Sequence, residues 1–252
     1  MKTIQTLLCA VVLYFSCLQH GVATTLLVAT DENLPPFSFV RGKEVTGIDV
    51  DMLSEAARKL GIDLKIVALP WKRVLLLLER GEVHLAMPLF STPERERFSD
   101  FVAPLHYSVT GIFVRKDRIF RFDAVDDLVG KHFGYNRGYA LPDELNKMVL
   151  GGKIVAEEVS TTEQNIGKLI FGRIDFFVSN TANARFLLRD SPHRTEIAQL
   201  PKPLSARRPA YLVASKSAVI QGRDALVNDL RQTLGKLHRD GSYERFVAKY
   251  TD

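Results

Sequence analysis

The segment Ser91-Thr92-Pro93-Glu94-Arg95 puts a hydroxyl, a proline and a cation in helix-start spacing. Threonine is a good N-cap and proline suits the first turn, so Arg95 falls in the opening turn of a predicted helix. A cation there works against the helix dipole, at a cost of about 0.3–1 kcal/mol. The placement makes sense if the guanidinium and the free N–H groups hold an anion together, because a bidentate fork matches a carboxylate. The competing reading of Arg95 is a surface ion pair with Glu94, Glu96 or Asp100. Glu32, His84 and His106 lie near predicted loops or strand ends and are the candidates for a general acid. None has a partner at a spacing that supports catalysis. The GxSxG, HExxH, P-loop and paired-cysteine metal patterns do not occur in the sequence. The chemistry expected is therefore binding, with no catalytic residue, no metal and no cofactor.

Short apolar runs and amphipathic stretches alternate along the chain and must position these groups. Strands are predicted at Leu26 to Thr30, Lys65 to Leu69, Val83 to Leu89, Val109 to Val114, His132 to Tyr135, Ile154 to Val159, Asp175 to Ser179 and Tyr211 to Ala214. Helices are predicted from Asp49 to Leu60, stopped by Gly61, and from Lys72 to Arg80, stopped by Gly81. Ser160 and Glu163 stand in capping-box spacing before a third helix that ends near Gly172. A long helix from Arg223 to Arg239 breaks at Asp240-Gly241 before a last one around Tyr243 to Tyr250. Such alternation argues for α/β sheets. The pattern restarts at "DLVGKHFGYNRGY", so two lobes are expected: 24–111 with 209–252, and 112–208. They would be joined by two hinge strands, with a ligand in the crevice between them.

The chain has 252 residues, 46% hydrophobic and 25% charged, with a formal charge of +5. Disordered and fibrous classes are excluded. The basic residues are interspersed with acids, and no concentrated basic stripe with interleaved aromatics suggests a nucleic-acid partner. Lys2 precedes an apolar run from Ile4 to Leu18, and Gly21-Val22-Ala23 supplies small residues for cleavage, so residues 1–23 read as a signal peptide. The run is shorter than the roughly 20 residues needed to span a bilayer. Export to the periplasm is expected. Cys9 and Cys17 both fall inside the leader, which leaves the mature protein to stand on packing alone.

"LLVATDENLPPFSF", "VTGIDVDMLSEAARKLGIDLKIVALPW" and "LLERGEVHLAMPLFSTPERERFSDFVAPL" resemble the extracellular solute-binding proteins of family 3, which serve amino-acid ABC transporters. "DLVGKHFGYNRG", "GRIDFFVSN" and "LGKLHRDGSYERFVAKY" continue the resemblance in the same order over nearly all of the mature chain. The resemblance implies a type II periplasmic-binding-protein fold, a small carboxylate-bearing ligand, a membrane ABC permease or sensor as partner, and a monomer. It assigns Arg95, with Thr92, to the ligand's carboxylate and Trp71 to stacking on the ligand. Phe37 is expected to pack beneath its loop, Arg73 to face either cleft or solvent, and His84 to be structural.

Departures from the family pattern bear on the ligand. Asn180 stands where an aspartate usually pairs with an α-ammonium, and it also suits a helix N-cap. Phe90 replaces a small hydroxyl residue, Tyr139-Ala140 after Gly138 replaces a Ser/Thr pair, and Leu34 replaces a frequent tyrosine. The implied pocket is more apolar and less suited to an ammonium, so a carboxylate is expected and an amino acid is one form of it. A periplasmic dehydratase on the same fold, or a ligand-sensing partner of a membrane receptor, are the other readings.

Overall fold

The computed structural model describes residues 25–251. The leader expected over 1–23, with its cleavage site and both cysteines, lies outside the described residues. In chain order the first elements are β1 (Leu26–Asp31), β2 (Asn33–Leu34), β3 (Ser38–Arg41), β4 (Glu44–Thr46), α1 (Ile48–Leu60), β5 (Leu64–Leu69), α2 (Trp71–Arg80), β6 (Leu85–Leu89) and the one-turn α3 (Pro93–Glu96). Next come β7 (Ser99–Ser108), β8 (Thr110–Arg115), β9 (His132–Asn136), α4 (Asp143–Leu150), β10 (Val155–Val159), α5 (Thr162–Ile170), β11 (Phe176–Asn180), α6 (Thr181–Arg189) and β12 (Ile197–Gln199). The chain closes with β13 (Arg208–Ser215), α7 (Arg223–Arg239) and α8 (Ser242–Thr251).

Two five-stranded mixed sheets result, ordered β5-β1-β6-β13-β7 and β10-β9-β11-β8-β12, each the centre of one lobe. Parallel β1, β5 and β6 sit under helices on both faces, which is why β6 is buried along its whole length. The chain passes from the first sheet to the second at Val109, between β7 and β8, and returns across 200–207. In the first lobe, Met52, Leu53 and Ala56 of α1 pack with Val28, Leu85 and Leu105 of the sheet and with Leu230, Leu234 and Leu237 of α7. In the second, Ile112, Val114, Phe133, Phe176 and Val178 form the centre.

Helix starts and stops follow the sequence closely. Gly61 and Gly81 end α1 and α2 in the left-handed region, with φ of 66° and 73°. Gly47, at φ 134°, precedes α1; a Cβ there would lie 2.2 Å from the Phe37 carbonyl oxygen. That close approach lets the 36–37 carbonyls accept the N–H groups of Ile48 and Asp49, each at 2.9 Å, which fixes Asp49 in a buried first turn. The third predicted helix is capped one residue later than expected. Thr161 accepts from Gln164 N at 3.3 Å, and Gln164 Oε1 accepts from Ser160 N at 2.8 Å.

β7 was not among the predicted strands, because Asp100 and Pro104 interrupt its apolar pattern. Its register with β13 shifts between Ala210↔His106 and Tyr211↔Pro104, a bulge that accommodates the proline. β13 runs past the expected Tyr211 to Ala214 because it pairs on both sides, with β6 and with β7.

Candidate functional site

Arg95 sits where the local spacing put it. Thr92 caps α3 by accepting from Arg95 N at 3.3 Å, and Pro93 opens the turn. The side chain does not run to the surface acids. It is 6% exposed, and it donates to the carbonyls of Phe90 at 3.2 Å and, across the cleft, Gly138 at 3.0 Å. Thr92 itself does not line the central cavity; its part is to hold the start of the turn.

Trp71 opens α2 immediately after Pro70, and its Nε1 donates to the same Gly138 carbonyl at 3.1 Å. Gly138, at φ 79°, can aim that carbonyl at both donors because it has no side chain; a Cβ would stand 3.3 Å from Trp71 Cδ1. Tyr139 then projects from the second lobe into the cleft. Its hydroxyl donates to Asp31 Oδ2 at 2.8 Å, and its ring meets Trp71 edge-on.

The cavity enclosed by these groups is about 60 Å³, and Asp31, Leu34, Trp71, Phe90, Arg95, His106, Ser108, Tyr139 and Asn180 contribute to its wall. One water occupies about 30 Å³ of liquid, and pockets for small ligands run to about 300–1,000 Å³. A molecule of metabolite size would therefore enter only with Tyr139 withdrawn or the lobes apart. Arg73, exposed on the outer groove, does not reach the cavity. Glu32 is also off its wall, and His84 ties the start of β6 to β1 by accepting from Leu27 N at 2.9 Å.

Asn180 takes the helix N-cap role considered for it and also stands on the cavity wall. Its Oδ1 caps α6, accepting from Ala182 N at 2.8 Å and Asn183 N at 3.1 Å, while Nδ2 crosses to Ser108 Oγ at 2.5 Å. Ser108 is the outer member of a buried chain. His106 Nε2 lies 2.9 Å from Ser108 Oγ, and His106 Nδ1 faces both oxygens of Asp49 at 2.9 Å. A carboxylate only accepts, so Nδ1 carries the hydrogen, and in the neutral imidazole Nε2 then accepts from the serine hydroxyl. The partners of His106 lie 57 residues upstream and two residues on, the first of them beyond the reach of local spacing. Phe37 stacks on its other face, 3.6 Å between ring centroids.

Charge in the cleft is set by burial. Desolvation raises Asp31 to about 6, opposed by the hydrogen bonds from Asn33 N and Tyr139. Burial pulls Arg95 down to about 10, and the nearby charge of Arg208 adds to the effect. Burial and the Asp31 carboxylate push Tyr139 well above its ordinary value. Asp31, Ser108 and Arg208 were not singled out from the sequence. Asp31 ends β1 in "ATDEN", a strand-end acid that could have been noticed; Arg208 is the second of an arginine pair ahead of the predicted strand Tyr211 to Ala214, where local pattern says nothing.

The sequence profile of the bacterial extracellular solute-binding proteins, family 3, matches residues 26–252. This chain belongs to that family. Among relatives of this family 3 protein, the probable amino-acid-binding protein YxeM of Bacillus subtilis (strain 168) is 27% identical over 217 residues, 85% of this chain and 79% of YxeM. The L-cystine-binding protein TcyJ of Escherichia coli (strain K12) is 24% identical over 231 residues, 90% of this chain and 82% of TcyJ. In structure, a histidine kinase sensor domain with similarity to periplasmic binding proteins superposes with a TM-score of 0.78 at 20% identity, over 90% of this chain and 96% of that domain. That likeness concerns the fold of a family 3 solute-binding protein. Among the described residues, no helix is long and apolar enough to cross a membrane.

Proposed function

We propose that this protein is a periplasmic solute-binding protein that captures a small carboxylate-bearing ligand, an amino acid or a related compound, and delivers it to a membrane ABC importer. Arg95 carries the reading. Its guanidinium is nearly fully buried yet donates only to backbone carbonyls among the described residues, one of them on the opposite lobe. A ligand carboxylate would replace the Gly138 carbonyl with a charged, bidentate acceptor. Trp71, Phe90, Leu34 and Tyr139 would supply the apolar walls, and Ser108 and Asn180 the neutral polar ones. The lobes would be those expected, 24–111 with 209–252 and 112–208, with the boundaries moved to the crossings at Val109 and within 200–207, where rotation would be taken up, so that Arg208 goes with the first lobe.

The reading is of a monomeric binder rather than an enzyme, and the binding-protein names of its relatives support it. Delivery to a membrane sensor in place of a permease is the other outcome for the same capture step. The test is a thermal-shift screen of the processed protein against amino acids and other small carboxylates, with the ligand recovered and weighed by mass spectrometry. A ligand at 100 times its Kd adds about 2.7 kcal/mol. A shift with the ligand recovered intact supports capture, whereas a recovered product would make the protein an enzyme.

A further inference from the structure

Arg208 opens β13 directly across from Ser108 of β7, where the chain re-enters the first sheet. Its guanidinium carbon lies 3.8 Å from the centroid of the Phe90 ring, and Nη2 donates to the Ala140 carbonyl at 3.3 Å. Its Nε is enclosed and has no hydrogen-bond partner among the described residues. Arg95 approaches the same Phe90 from its backbone side, at the carbonyl oxygen, and reaches Gly138, two residues before Ala140 in the same loop. Two guanidiniums therefore flank one residue of the first lobe, and each is answered by a carbonyl of the second.

Carbonyl dipoles do not neutralise two neighbouring cations in a partly dry cleft. The acids nearest in charge, Glu94 and Asp143, act on them only through space. When the lobes part, the 138–140 carbonyls leave with the second lobe and both guanidiniums stay on the first as adjacent charges, Arg95 keeping only the Phe90 carbonyl. A single carboxylate would satisfy one of them. The opposite sign is less provided for: Asn180 is neutral, and Asp31, which keeps the bond from Asn33 N when Tyr139 leaves with the second lobe, is one acid against two guanidiniums.

We propose that Arg208 is a second anion-binding residue of the cleft, and that the ligand is a small dianion of the dicarboxylate type, its acidic groups on Arg95 and Arg208 and its short spacer over Phe90. This rests on the solute-binding reading and narrows its ligand class. Phe90 then acts as the platform that holds Arg208 in place by cation–π contact.

The experiment is calorimetric titration of the purified, processed protein at pH 7 with malonate, succinate and glutarate, and with butyrate, alanine and glutamate as comparisons. At least one dicarboxylate binds ten times more tightly than butyrate, alanine and glutamate. Arg208→Gln removes that advantage, and Arg208→Lys, which keeps the charge and preserves folding if the neutral variant does not fold, retains part of it. If butyrate, alanine or glutamate binds as tightly as the dicarboxylates, or Arg208→Gln leaves dicarboxylate affinity unchanged, the dianion inference is overturned while capture at Arg95 stands. If none of the six carboxylates binds, the inference is overturned; a thermal shift with some other carboxylate then keeps the solute-binding reading, and no shift in that screen removes it as well.

Discussion

Tyr139 of the second lobe donates its hydroxyl hydrogen to Asp31 of the first at 2.8 Å, so a side chain of the protein spans the cleft where a ligand would have to sit. Arg95 and Trp71 meeting the Gly138 carbonyl, Asn180 meeting Ser108, and Asn183 Nδ2 meeting the Pro35 carbonyl at 2.8 Å join the lobes at further points. Phe186 of the second lobe also packs on Phe39 of the first, with ring centroids 5.9 Å apart. Closure thus has its own hydrogen bonds and its own apolar contact, and ligand capture must exchange some of them.

Tyr139→Phe removes the hydroxyl and leaves the Asp31 carboxylate one donor short. Loss of a hydrogen bond to a buried charged group costs about 1–3 kcal/mol, expected as a lower urea midpoint. Trp71 is the single tryptophan of the chain and lies at this contact, so its emission should move with the substitution. An unchanged midpoint and spectrum would show that the bond contributes nothing to closure.

Asp31 gives a pH dependence of definite sign. Its pKa is raised from 3.8 to about 6 on folding, so the folded state holds the proton more tightly than the unfolded one. Its contribution to stability is complete below about pH 4 and is lost as pH rises through about 6, a change of about 3 kcal/mol. Asp31→Asn should flatten this part of the stability profile, measured by denaturant unfolding from pH 4 to 7. The same slope in both proteins would assign it to another group.

Ser108→Ala takes away the acceptor for Asn180 Nδ2 and the donor to His106 Nε2. With Ser108 only 3% exposed, both partners lose their bonds away from water, and a cost of about 1–3 kcal/mol is expected. The Asp49–His106–Ser108 alignment has the order of a catalytic triad, but Asn180 covers the serine oxygen. Wild-type protein should therefore resist labelling by a fluorophosphonate; stoichiometric labelling at Ser108 would show an accessible nucleophile.

Arg95→Ala should abolish ligand binding in calorimetry while circular dichroism remains native, since the lost contacts are to two carbonyls and the Trp71 ring rather than to a buried acid. Retained affinity would remove the role assigned to this residue.

Gly138→Ala forces a side chain into a left-handed backbone at φ 79° and against Trp71. A cost of about 1–2 kcal/mol from the backbone alone is expected, with a lower melting temperature and altered tryptophan emission. An unaffected variant would mean that the 138–140 loop readily takes another path.

What the sequence determined by itself was local. The Thr92 cap, the αL stops at Gly61 and Gly81 and the alternation of strands with helices depend on neighbours a few residues apart, and ordered fragments of that kind carried the family and its two-lobed fold. What only the tertiary structure decided lies between distant segments. Asp49, His106 and Asn180 meet because a helix start pinned by the 36–37 carbonyls, a strand re-registered by a bulge and the end of a strand in the other lobe converge on Ser108. Arg208 joins Arg95 only because β13 pairs with β7 and delivers it beside Phe90. Hydrogen bonds and charges act over a few ångströms of space, and a chain brings such groups together by sheet register and lobe packing, which no local window of sequence contains.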